Sequence, residues 1–320
     1  MLYGQRISKM KKNCIASLIL ALSFILLNTN LLLSEQCISQ EQLEAEVLKE
    51  RKKWDINSDN QYGIEDIIYG LQLISTFKIN QTWTNDFGMT FVLIQPGTFV
   101  MGSPEGETGR GSDEVQHNVT LTQAYYMQKT EVTQGQWKAV MGTNPSNFSS
   151  CGDDCPVERV SWQDAQGFIE KLNQHENANL YSLPTEAQWE YAARAGSTTA
   201  LANGNLVETD CNLDTKLNEM GWYCGNAESK THPAAQKQPN AWGLYDMHGN
   251  VWEWCQDWYD SYSTTSVTDP VGPASGLYRV GRGSSWSKYA KFCRSAERGG
   301  NSPDSRYNFV GLRLMRMLEP

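Results

Sequence analysis

From residue 84 onward the chain consists of short extended runs broken by Gly, Pro and Asn, with Trp162, Trp189, Trp242, Trp252, Trp254, Trp258 and Trp286 set among them. Short strands and long loops bury little aliphatic surface. Each tryptophan can bury about 150–250 Å². This texture predicts a largely loop domain over residues 84–320, with short strands, two helices and most of its tryptophans packed in the core. Helical signals are clear at two places. Ser161 with Asp164 opens "SWQDAQGFIEKLN", and Thr185 with Gln188 opens "TEAQWEYAARAG", which Gly196 is placed to end in a left-handed cap. The runs flanking Pro96-Gly97 in "FVLIQPGTFVMGS" predict a hairpin, and "NVTLTQAYYMQKTEV" predicts another extended pair.

Charge removes several function classes. With 27 basic and 36 acidic residues the formal charge is -9, the wrong sign for a nucleic-acid surface. Only 4 His are present, too few for a His-rich zinc site. No HExxH, P-loop, GxGxxG or GxSxG occurs.

The N-terminus reads as an export signal over residues 1–36. Arg6, Lys9, Lys11 and Lys12 precede an apolar run from Ile15 to Leu27, the layout of a secretory signal peptide. The alternative is an uncleaved anchor, the one route by which this chain would engage a membrane. Either way the expected location is secreted, periplasmic or cell-surface, where disulfides persist. Residues 37–80 follow as a helix-loop-helix segment. In "DINSDNQYGIED", Asp55, Asn57 and Asp59 stand at loop positions one, three and five, Gln61 offers its carbonyl at seven, and Asp66 closes the loop at twelve. Oxygen ligands at that spacing suit calcium in an EF-hand-type loop, and the segment resembles half of a dockerin.

Eight motifs recur in order: "IQPGTFVMGS", "YYMQKTEVTQGQW", "CPVERVSWQDA", "LPTEAQWEYAARAG", "NAWGLYDMHGNVWEWCQDWY", "GRGSSW", "CRSAER" and "VGLRL". Together they resemble the formylglycine-generating enzyme, or sulfatase-modifying factor, family. That resemblance implies an α+β, C-type-lectin-like fold with little regular secondary structure and a core organised by tryptophan, and a calcium site with ligands Asp246, the carbonyls of Gly249 and Val251, and Glu253. It places Trp252, Ser285 and Cys293 at the active site. Family enzymes hold copper(I) between two cysteines, and soft thiolates are the ligands copper(I) prefers. Here the first copper position is Lys288 and only the second, Cys293, is kept. Copper is therefore not expected, and a formylglycine-generating or divergent protein-cysteine oxidoreductase acting on exported sulfatases is the alternative to a binding protein.

Past the N-terminal segments six cysteines remain, and six allow 15 connectivities. Close spacing favours Cys151–Cys155, and Cys211–Cys224 closes a short loop. That leaves Cys255–Cys293 as a bridge bracing the former active site. Between Trp286 and Val310 the chain is rich in Tyr, Phe, Ser, Gly and Asn, the mix of adaptable binding surfaces. It resembles the variable ligand-binding region of diversified lectin-fold proteins. Lys288, Tyr289, Phe292, Tyr307, Asn308 and Phe309 are the expected contacts for a peptide, protein or glycan.

Overall fold

A computed structural model describes residues 82–318. The export signal and the calcium loop Asp55–Asp66 lie outside the described residues. Within them, twelve strands form three small sheets. The five-stranded sheet runs β1(Thr82–Thr84)-β2(Thr90–Ile94)-β5(Tyr125–Gln128)-β12(Met315–Met317)-β6(Tyr181–Ser182). A four-stranded sheet, β10(Arg298–Asn301)-β9(Arg279–Arg282)-β7(Trp252–Trp258)-β11(Val310–Gly311), carries the candidate site. The third is β3(Gly97–Met101)-β4(His117–Leu121)-β8(Val267–Thr268).

The expected hairpin at residues 91–103 does not form. Both strands exist, but β2 pairs with β1 and β5 while β3 pairs with β4. A two-residue hairpin turn needs a positive φ. Pro96 is locked near −65°, and Gln95 is not among the positive-φ residues. The two strands therefore part into different sheets. β4 and β5 split in the same way.

Helix starts follow side-chain chemistry. Ser161 caps α2(Trp162–Glu176) by accepting from Asp164 N, and Asp164 returns the bond to Ser161 N at 2.8 Å. Thr185 and Gln188 build the same box on α3(Glu186–Arg194). Each such cap contributes about 1 kcal/mol. Ala195 takes the left-handed cap position at φ 47°, one residue ahead of the expected Gly196, which is itself at φ 88°. Two further helices among the described residues were not expected. α1(Gln134–Met141) has a legible signature, a Thr133–Gln136 capping box and Gly142 at φ 79°. α4(Thr215–Met220) starts at Asp214, whose carboxylate accepts from Leu217 N.

Tryptophan does organise the core. Trp137, Trp252 and Trp254 sit in one cluster with Phe168, Val310 and Leu312, and Trp189 is at the centre of a second with Met127 and Val280. Trp254 donates its indole N–H to Val160 O at 3.0 Å. Trp162, Trp242, Trp258 and Trp286 are half-buried.

Candidate functional site

The segment from Arg282 to Cys293 is held from below by a buried guanidinium. Arg282 is 0% exposed, pairs with Glu190, and donates to the carbonyls of Ser295 and Ala296 at 2.9 and 2.8 Å. The chain leaves β9 through Gly283 at φ 86° and Ser284 at φ 66°. A Cβ on Gly283 would come within 3.0 Å of the Trp189 ring. Ser284 carries a side chain in a conformation that suits glycine. Beyond it, Lys288 N–H bonds Ser285 O at 3.1 Å, and Ala290–Cys293 forms a 3-10 turn. A neighbouring loop supports this turn. Ala290 and Lys291 N–H donate to Asp210 O and Thr209 O, and Cys224 N–H donates to Lys288 O at 3.1 Å.

Disulfides join Cys151–Cys155 and Cys211–Cys224. The expected Cys255–Cys293 bridge is absent, and both are buried free thiols. The reason is placement. Cys255 lies on β7 in the cluster around Trp189, whereas Cys293 packs among Ala200, Leu206, Leu217 and Tyr223. Burial pushes the Cys293 thiol up to about 12, with the Ser284 hydroxyl pulling weakly the other way, and burial likewise raises Cys255. His248, also 0% exposed, accepts from Ala202 N through Nε2, so its Nδ1–H donates to Cys293 O at 2.8 Å. Burial lowers this imidazole to about 4. Neither thiol should react with iodoacetamide in the native protein at pH 8, and both should react in denaturant. Peptide mapping that finds Cys293 alkylated natively would contradict this placement.

These residues do not fit copper(I). One position is an ammonium, and the other is a protonated thiol closed off from solvent. Ser285 is buried, its hydroxyl 3.1 Å from that of Ser287. Trp252 has its ring turned into the core against Gly299, and its backbone N–H donates to Phe309 O at 2.8 Å.

What the structure does assemble is an aromatic face. Tyr307 and Phe309 stack at 4.9 Å and 4°, and Lys288 Nζ stands 5.2 Å over the Phe309 ring. Trp286 meets Phe148 edge-on at 5.3 Å and donates its indole N–H to Asn308 O at 3.1 Å. Tyr289 and Phe292 stack separately at 6.3 Å, with Lys291 over Phe292. Tyr289 and Tyr307 are 47% and 42% exposed, so both rings offer surface to a partner. Phe148 and Trp286 were not among the expected contacts, because only the fold brings residue 148 to residue 286.

Two buried carboxylates, Asp246 and Glu253, lie just ahead of β7 and on it. Glu253, a carried-over calcium ligand, is fully engaged: Arg313 Nε and Nη2 bind it at 2.7–3.0 Å and Trp189 Nε1 donates at 2.6 Å. Asp246, at φ 58°, accepts Ala235 N at 2.7 Å through Oδ2, while its buried Oδ1 has no partner. Among the described residues no three His, Cys, Asp or Glu side chains form a metal-holding group. A cation here must therefore draw on backbone carbonyls, as calcium does. Asp246 fits such a role, and Glu253 does not.

Among the described residues, three small sheets, four helices and long ordered loops define the C-type-lectin-like fold of formylglycine-generating-enzyme-like domains. The chain belongs to the sulfatase-modifying factor enzyme 1-like domain family, which it matches over residues 78–318. It is 32% identical over 268 residues to the chaperone protein LppX of Paenibacillus barcinonensis, covering 68% of this chain and 84% of that protein. It is 35% identical over 177 residues to the formylglycine-generating enzyme of Streptomyces coelicolor, covering 49% of this chain and 51% of the enzyme. The chain thus spans about half the length of that enzyme. The solved structure of Treponema denticola variable protein 1 is 33% identical with a TM-score of 0.67, covering 74% of this chain and 99% of that one. Among the described residues no helix is long and apolar enough to cross a membrane.

Proposed function

We propose that this chain is an exported, calcium-binding member of the family that binds a polypeptide on the face carrying Trp286, Lys288, Tyr307 and Phe309. The carrying observation is Lys288. It stands where the family's copper chemistry needs a thiolate, and its ammonium lies over the Phe309 ring. Stacked Tyr and Phe supply rigid contact area at low entropic cost, and the half-buried lysine adds a cation for an acidic or aromatic ligand group. The two disulfides suit an oxidising compartment. A relative named as a chaperone favours a protein or peptide over a glycan as the ligand.

Selection from a displayed peptide library, with a glycan array in parallel, tests this. Peptides should be enriched, and Lys288→Ala and Tyr307→Ala should each weaken the selected peptide at least tenfold, about 1.4 kcal/mol. Conversion of a CxPxR peptide to an aldehyde by the copper-loaded protein would establish the oxidoreductase instead. Binding of glycans alone would move the ligand class.

A further inference from the structure

Arg279 on β9 is held by two indoles. Its guanidinium carbon lies 3.6 Å from the ring centre of Trp258, its cross-strand partner on β7, and 3.9 Å from that of Trp162, the first residue of α2. Cation–π attraction serves the faces of the planar group but leaves its N–H groups, which lie in the plane. Nη1 donates to Gln256 O. Nε is buried without a partner, and Nη2 also has no partner but is not enclosed. Those two nitrogens form one edge, the fork that grips a carboxylate through two parallel bonds.

Six buried arginines among the described residues each hold a carboxylate. Arg279, half-buried, pairs with none among them. Asp257 acts on it by charge, yet burial pushes that acid up to about 7, and its Oδ2 accepts from Glu186 N at 2.8 Å. Half-buried amides stand beside the guanidinium. Asn301 is paired with Arg279 on β10, and Gln256, whose carbonyl takes Nη1, meets Gln166 of α2 at 3.4 Å. We infer that Arg279, clamped by Trp162 and Trp258, is a second ligand site, one that binds a planar carboxylate from an acidic side chain or chain end of a polypeptide. The clamp fixes the guanidinium before a ligand arrives, so little freedom is lost on binding. The polypeptide as source rests on the reading above, whereas the carboxylate does not.

Fluorine NMR of the full chain labelled with fluorotryptophan tests this, with the resonances of Trp162, Trp258 and Trp286 assigned from single Phe variants. The probes, at matched ionic strength, are acetyl-Gly-Glu-Gly-amide, the same peptide with Gln in place of Glu, and glucuronate. The Glu peptide should shift the Trp162 and Trp258 resonances saturably, and the Gln peptide should bind at least tenfold more weakly. Arg279→Lys keeps the positive charge but loses the fork, and should lower affinity for the Glu peptide at least tenfold. Trp286 reports the aromatic face separately, so failure of that reading is distinguishable from failure of this one. Equal shifts from the Glu and Gln peptides in the parental protein, or none from any probe, would overturn the site without recourse to a variant. Saturable shifts from glucuronate alone would overturn the polypeptide as the source of the carboxylate.

Discussion

Replacing Arg313 with Met should cost the domain about 3–5 kcal/mol, the range for removing one partner of a buried ion pair. Arg313 and Glu253 are both 0% exposed, and the guanidinium spends its donors on Glu253, Gln128 O and Tyr245 O. Without it Glu253 keeps only the Trp189 N–H, and two carbonyls lose their donor. Burial already raises the carboxyls of nearby Glu131 and Asp246, and without Arg313 both lose a cation that opposes that rise. Adding Glu253→Gln to Arg313→Met should recover part of the loss, because the stranded charge is gone. Urea denaturation followed by tryptophan fluorescence reads both variants. A single variant with the parental midpoint would show that the pair contributes nothing.

Removing the Cys211–Cys224 bridge, as the double serine variant, should cost about 3 kcal/mol by loop-closure entropy for its 13-residue separation. Removing Cys151–Cys155, separated by 4 residues, should cost about 2 kcal/mol. The two differ more in what they support. Cys224 N–H holds Lys288 O, and the loop with Cys211 supplies Thr209 O and Asp210 O to Lys291 and Ala290. Losing the longer bridge should therefore also weaken ligand binding at the aromatic face, which the shorter one should leave alone. Equal binding loss from both, measured against the library-selected peptide, would place the effect in global stability.

Much of this domain was legible in its residues because the relevant physics is local. A serine or threonine three residues before a carboxylate or amide satisfies bare helix N–H groups wherever it occurs, so α2 and α3 were readable, and α1 carried the same signature. Cysteines 4 and 13 residues apart closed short loops within reach. The hairpin fails for an equally local reason: a proline in the connection forbids the turn.

The fate of Cys255 and Cys293 could not be read this way. Pairing by elimination assumes that leftover cysteines meet, yet each is buried in a different cluster. The ion pair of Glu253 gave no sequence signal, because Arg313 lies 60 positions further along the chain. Trp252 was placed at the site by resemblance, but sheet register turns its ring inward. By itself, then, the sequence determined the family, the tryptophan-organised fold and the local caps. Only the tertiary structure decided which thiols stay free, which carboxylates keep a counter-ion and which aromatics form one face, because each depends on groups distant in sequence meeting where water cannot compensate.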